Sequence, residues 1–412
     1  MRIGILATRL SGTDGVSLET AKWVEVLKRL GHEVFFAAGE LSGVFASGCL
    51  IPKMHFQHET ILEIQSMLFN QQERTQLNST IVMVEKVAQE LSEGIQEFIH
   101  AKRIEYLIVE NALAIPMNVP LGVAIMEQVR KSGLPGLAHH HDFFWERERF
   151  NNCIIPEILE DYFPGDAPGL THVTINSLAR DSLMRRKSLD SVIVPNVFDF
   201  AVPPPKLDPF GRQLKKQIGF SDDEKLILQP TRVIERKGIE KAIELVHYLD
   251  LERPRLVISH PAGDEGRSYL EKIQKVSEEL KVELVFVDSL LQNTWNENAG
   301  LRHYSLSDIY LNSDLVTYPS LYEGFGNALL EAVYFKRPMV IYPYPVYNAD
   351  IKPRGFSFIE IGDQFDLAVI EQVKQILAAP QQWDEIAEEN FTLAKKFYSL
   401  ETLEQILQKI IY

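Results

Sequence analysis

The stretch Tyr318-Pro319-Ser320-Leu321-Tyr322-Glu323-Gly324-Phe325-Gly326-Asn327-Ala328-Leu329-Leu330-Glu331-Ala332 decides how the rest of the chain is read. It leaves an apolar run at 314–318, turns through a loop with two glycines, and opens near Gly326 into a helical pattern over 326–335. Strand, tight loop and helix in that order form the unit of a doubly wound parallel sheet, whose ligands sit at the carboxyl ends of the strands. The same order recurs on both sides. Strands are predicted at 225–229, 255–259, 283–287 and 338–342, with helices at 238–249, 267–280 and 306–312, and a helical tail runs from about 366 to 410.

The N-terminal half repeats the alternation. Strands are expected at 2–8, 32–38, 106–110, 134–138, 172–175 and 191–194. A helix over Ser17–Leu30 places Leu18, Ala21, Trp23, Val24, Leu27 and Leu30 near one face, and Gly31 stops it; 61–100 reads as mostly helical. Between the halves, Pro203-Pro204-Pro205 and Pro209 interrupt regular structure, which suits a semi-rigid spacer over 198–212. The fold class is therefore α/β, with two Rossmann-like doubly wound domains expected to face each other across a cleft. The domains are placed at 1–200 and 213–385, and a terminal helix at 386–412 is expected to pack back towards the first.

Composition narrows the function. A chain of 412 residues is too long for one hydrophobic core, and 45% hydrophobic with 24% charged residues excludes wholesale disorder. Forty-two Lys and Arg against 57 Asp and Glu give a net charge of −15, a poor platform for a nucleic-acid backbone. The same balance leaves at most weak peripheral contact with an anionic membrane. Cys49 and Cys153 have neither disulfide-framework nor CxxC spacing, so both read as small apolar residues. The N-terminal apolar run is too short for a signal peptide and no run of eighteen apolar residues occurs, so a cytoplasmic location is expected.

Four loops carry chemistry. In the opening stretch, the helix start near Gly326 offers unpaired N–H groups to a phosphate or sugar oxygen, with Glu323 and Glu331 as separated acceptors. In Pro230-Thr231-Arg232-Val233-Ile234-Glu235-Arg236-Lys237-Gly238, Arg232 and Lys237 are placed to converge on a diphosphate, while Arg236 and Glu235 read as solvated. In His139-His140-His141-Asp142, alternation along a strand keeps the three rings from sharing one ion. No CxxC, HExxH or DxD occurs either, so no metal is expected. One histidine and Asp142 read instead as polar contacts to a sugar. The loop Gly12–Val16 contributes glycines that let backbone approach a ligand, a weak signal alone. GxGxxG, GxxxxGK[ST] and GxSxG are all missing, which disfavours a nicotinamide oxidoreductase, a P-loop kinase and an α/β-hydrolase.

Arg232…Lys237-Gly238 followed by Glu323-Gly324-Phe325-Gly326…Glu331 resembles the family 4 retaining glycosyltransferases, whose fold is GT-B, along essentially the whole chain. The resemblance implies an N-terminal acceptor-binding domain and a C-terminal nucleotide-sugar-binding domain. It implies that Arg232 and Lys237 clamp the diphosphate, and that Glu323 and the backbone of Gly324, Phe325, Gly326 and Asn327 meet the hexose. Glu331 would hold the ribose, Gly15 would approach phosphate or acceptor, and His141 or Asp142 would contact the sugar near its 6-hydroxyl. Asn196 falls in the family's loop after the last N-terminal strand. The sequence departs from the family pattern at Asp14-Gly15, Thr231, Pro195-Asn196-Val197 and Tyr342-Pro343-Tyr344-Pro345.

The implied activity is metal-independent retaining transfer of a hexose from a nucleotide-diphosphate sugar, with UDP-glucose as the leaning, to a hydroxyl acceptor. The acceptor would be a saccharide, glycolipid or small solute, as in polysaccharide or glycoconjugate synthesis. No cofactor is implied beyond the donor. A GT-B sugar-nucleotide 2-epimerase and a non-catalytic sugar-binding protein are the rival readings.

Overall fold

The computed structural model describes residues 1–12, 14–70, 77–261, 267–291 and 303–412. They divide into two compact units, Met1–Val197 with Leu400–Tyr412, and Phe198–Ser399. No described helix is long and apolar enough to cross a membrane.

The first unit runs β1 (Arg2–Ala7), α1 (Gly15–Arg29), β2 (Glu33–Ala38), β3 (Cys49–Leu50), α2 (Glu59–Phe69), α3 (Leu77–Lys102), β4 (Tyr106–Glu110), α4 (Val119–Ser132), β5 (Gly136–His140), α5 (Pro156–Tyr162), β6 (Leu170–Thr174), α6 (Ser177–Lys187) and β7 (Val192–Ile193). Its strands form one parallel sheet in the order β3-β2-β1-β4-β5-β6-β7. The strand order reverses beside β1, so the carboxyl ends of β1 and β4 flank the switch point where such sheets take ligands. Ile3, Ile5, Leu6, Leu107 and Ile108 are wholly buried because helices cover both faces.

The second unit runs α7 (Gln213–Gln217), β8 (Ile227–Gln229), α8 (Ile239–Tyr248), β9 (Arg255–Ile258), α9 (Ser268–Leu280), β10 (Glu283–Phe286), α10 (Leu306–Asn312), β11 (Leu315–Tyr318), α11 (Asn327–Tyr334), β12 (Met339–Ile341), β13 (Ile359–Glu360), α12 (Leu367–Ala378) and α13 (Asp384–Phe397). Its parallel sheet has the order β10-β9-β8-β11-β12-β13. The switch again lies between neighbours, β8 and β11, whose carboxyl ends carry the 230–238 and 319–327 loops.

Three expectations are corrected. The helix expected over 386–412 is two elements. α13 stays with the second unit, whereas α14 (Leu400–Ile411) packs Leu400, Leu403 and Leu407 into the core of the first, with Trp23, Val24 and Leu27 of α1. The proline segment does not stand free as a spacer. It belongs to the second unit, where the Tyr334 hydroxyl donates to the Pro203 carbonyl at 3.2 Å and Phe198 and Phe200 pack on Tyr334. Leu18 is 41% exposed, because Trp23, Val24, Val26 and Leu27 define the buried face of α1. Residues 71–76 of the expected 61–100 helix lie outside the described residues, as do 262–266 after β9.

Candidate active site

The second unit builds its site by pressing two loops together. Gly238 takes φ +57°, and a Cβ there would lie 2.5 Å from the Pro319 carbonyl, so only glycine lets the backbones approach this closely. The Leu321 amide donates to the Arg236 carbonyl at 2.8 Å, locking the loops in register. Beneath them, Gln229 at the end of β8 donates to Thr231 at 2.8 Å and accepts from Thr317 of β11 at 2.7 Å.

This clamp brings Lys237 against Glu323. Both are buried, and the Lys237 ammonium donates to Glu323 Oε1. Arg236 donates to Glu323 Oε2 and to the Tyr322 carbonyl, both at 2.9 Å. Arg236 therefore adds to the sequence reading: it remains partly exposed but is also tied to the loop. Spacing alone could not find this, because the partner lies 87 residues away. Burial would raise the Glu323 carboxyl, but the Lys237 and Arg236 charges outweigh it and hold it near 2. Burial lowers Lys237 to about 8; Glu323 opposes that fall, while Arg236 and Arg232 add to it. Arg232 stands in the same loop, ahead of the turn over Glu235–Lys237. Two cations, Lys237 and Arg236, thus engage one buried carboxylate in a chain of charge −15.

Glu323 leads into α11. Gly326 precedes the helix at φ +119°, with no side-chain cap, and a Cβ there would meet the Tyr344 hydroxyl at 2.6 Å. That hydroxyl donates to the Phe325 carbonyl at 2.7 Å. The Phe325 ring is buried edge-on to Tyr398, so this residue can offer a ligand only its backbone. Gly324 lies in the same loop, and Asn327 is the first residue of the helix. Glu331, one turn on, accepts from the Tyr310 hydroxyl at 2.8 Å. Tyr310 and Tyr344 escaped the sequence reading because they look like core aromatics, which they also are.

In the first unit, Glu110 ends β4 and is the register partner of His139 on β5. His139 Nδ1 and Glu110 Oε2 lie 3.0 Å apart, both buried. Asn111, at φ +55°, ties down the next turn: its Oδ1 accepts from the His141 amide at 3.0 Å and its Nδ2 donates to Asp142 at 3.2 Å. Asp142 also accepts from Arg147 Nε at 2.9 Å. His140 points to the other face of the sheet, where Nε2 meets His172 Nδ1 at 3.0 Å. Burial opposes a charge on His141, but Glu110 outweighs it and raises the ring above the ordinary histidine value. Glu110 and Asn111 were missed; a lone charged residue ending an apolar strand was the available signal.

Gly15 is the first residue of α1. The Asp14 side chain caps that helix by accepting the Val16 and Ser17 amides, so these donors are already engaged. Asn196 is buried in the loop after β7. Both cysteines are free and half-buried, and burial pushes the Cys153 thiol up, away from reactivity.

Comparison with known proteins places the family and the fold. Residues 211–389 match the family described as glycosyl transferases group 1. The mannosylglucosylglycerate synthase of Petrotoga mobilis is 30% identical over 97% of this chain and 99% of that protein. The synthase of the same name from Thermotoga maritima is 30% identical over 99% of each. Among solved structures, a glycosyltransferase from Rickettsia africae superposes with a TM-score of 0.70, covering 100% of this chain and 98% of that one at 13% identity, a likeness of fold. With two parallel α/β units, a loop-clamped Lys–Glu pair before an open helix start, and full-length similarity to two synthases, the chain belongs to the group 1 glycosyl transferases of GT-B fold.

Proposed function

We propose that this chain is a retaining glycosyltransferase that moves a mannosyl unit from a nucleotide-diphosphate sugar to a hydroxyl of a glucosylglycerate-type acceptor. The observation that carries the reading of the site is the convergence of Arg236 and Lys237 on Glu323 beside the start of α11. The donor and acceptor rest on the relatives, whose names describe a mannosylglucosylglycerate product. Those names favour mannose over the UDP-glucose suggested by sequence alone, and both describe synthases, which favours transfer over 2-epimerisation or non-catalytic binding.

In this proposal Arg232 and Lys237 hold the diphosphate, with the α11 amides nearby, and Glu331 takes the ribose hydroxyls. Glu323 and the backbone over Gly324–Asn327 meet the hexose. A carboxyl held near 2 and engaged by two cations is a poor base and a poor nucleophile, so Glu323 orients. The anomeric C–O bond to phosphate breaks as the acceptor oxygen bonds from the same face. The acceptor proton passes to the departing phosphate oxygen, while Lys237 and the arginines stabilise the developing charge. Asp142 and His141 in the first unit are proposed sugar contacts, and Gly15 and Asn196 proposed ligand-approach positions; the capped start of α1 makes Gly15 the weaker of these.

The test incubates the protein with GDP-mannose, UDP-glucose or ADP-glucose, each with glucosylglycerate, and follows product by mass spectrometry and the anomeric configuration by NMR. A mannosylated product with retained configuration is expected. Inverted configuration, or an epimerised donor formed without acceptor, overturns the proposal.

A further inference from the structure

Among the described residues, one group of histidine and acidic side chains brings its ligand atoms together: Glu110, His139 and His141, within 4.8 Å of one another. The cause is topological. His139 and His141 are two apart along β5 and its extension, so they share a face, and the parallel register sets Glu110 directly beside His139. Glu110 Oε2 stands 3.0 Å from His139 Nδ1 and 3.5 Å from His141 Nε2. A tetrahedral ion with bonds of about 2.0–2.2 Å to nitrogen and oxygen separates its ligand atoms by roughly 3.3–3.6 Å, so both distances lie within a few tenths of an ångström of that spacing.

A hydrogen bond between His139 and Glu110 does not satisfy the group. The second Glu110 oxygen and His141 Nε2 are buried without a hydrogen-bond partner, as is the far nitrogen of His139. A second buried carboxylate, Glu19, also favours a charge on both rings, although it is itself paired with Lys22 at 2.8 Å. The His139 ring is further held by stacking on Trp23, with centroids 4.3 Å apart. Buried polar atoms normally find partners, and a cation held by Glu110, His139 Nδ1 and His141 Nε2 would supply one to the His141 nitrogen and draw on the Glu110 carboxylate.

We propose that Glu110, His139 and His141 form a binding site for a divalent first-row transition ion, with zinc as the reference case for a two-imidazole, one-carboxylate donor set. The ion would lock the ends of β4 and β5, and with them the Asn111 and Asp142 side chains. This departs from the sequence expectation of no metal, which counted three adjacent rings that could not meet. The structure needs only two of them, plus a carboxylate from the next strand. The proposal does not rest on the donor and acceptor assigned above, but it makes His141 a metal ligand in place of the sugar contact proposed there.

The test uses untagged, chelator-treated protein titrated with Zn²⁺ against a chromophoric chelator, followed by X-ray absorption at the zinc edge. One equivalent per chain is expected, with two imidazole nitrogens and carboxylate oxygen at about 2.0–2.2 Å. Glu110→Gln and His139→Gln should each weaken binding beyond the ~10–100-fold typical of losing an outer-sphere partner, with circular dichroism checking the fold. Absence of stoichiometric uptake by the unaltered protein, or a spectrum with fewer than two imidazoles, overturns the site even if the variants do not fold. Unchanged affinity in both folded variants overturns it as well.

Discussion

Replacing Lys237 by methionine separates what the Lys237–Glu323 pair does for stability from what it does for the reaction. Methionine keeps the side-chain length but removes the charge, leaving the buried Glu323 carboxylate with Arg236 as its remaining cation. Losing one partner of a buried pair costs about 3–5 kcal/mol, because the other charge is left poorly compensated. In the proposed mechanism the same substitution also removes a charge that stabilises the departing phosphate, a loss worth about 10²–10³ in kcat. Adding Glu323→Gln should restore most of the stability, since the buried charge is gone, yet leave kcat low. The assay pairs thermal unfolding with steady-state turnover at saturating donor, on both single variants and the double. A Lys237→Met enzyme within threefold of normal kcat would refute the assignment. Full recovery of kcat in the double variant would show that the lysine acts only by holding the fold.

Three further outcomes follow from the geometry. Gly326→Ala should destabilise the second unit by about 1–3 kcal/mol through its positive φ alone; Tyr344→Phe in addition should recover only the part due to the 2.6 Å approach to the tyrosine hydroxyl, as read from melting temperatures. Leu403→Ala should cost the first unit about 2–5 kcal/mol, because this wholly buried side chain sits in the same core as Trp23 and Leu27. Burial holds the folded His172 ring at about 4, below its ordinary value of 6.5, so the unfolded chain takes up a proton first as pH falls. Stability should therefore be unaffected above pH 6.5 and fall by up to ~3 kcal/mol between 6.5 and 4. His172→Leu should flatten that slope in urea titrations of the first unit; an unchanged slope would remove His172 as its source.

Much of the fold is legible along the chain because a parallel strand buried on both faces is a continuous apolar run, and the longer helices such as α1, α8 and α9 carry an apolar stripe of their own. The runs at 2–8, 106–110 and 314–318 contain β1, β4 and β11 nearly to the residue. The two-residue strands β3 and β13 carry no such signal, since two residues have no period and form only because a longer neighbour offers its edge.

The sequence by itself determined two α/β halves, the loops that follow their strands, and the residue types a nucleotide-sugar site needs, because those properties are local in the chain. It paired Arg232 with Lys237 because they lie five apart. Only the tertiary structure decided that Arg236 and Lys237 share Glu323, and that Glu110 stands between His139 and His141. It also decided where the expected terminal helix divides, α13 staying with the second unit and α14 joining the core of the first. Each of those contacts spans from 29 to several hundred residues. They depend on sheet register and on the close loop approach that Gly238 allows, neither of which is written in the spacing of any one segment.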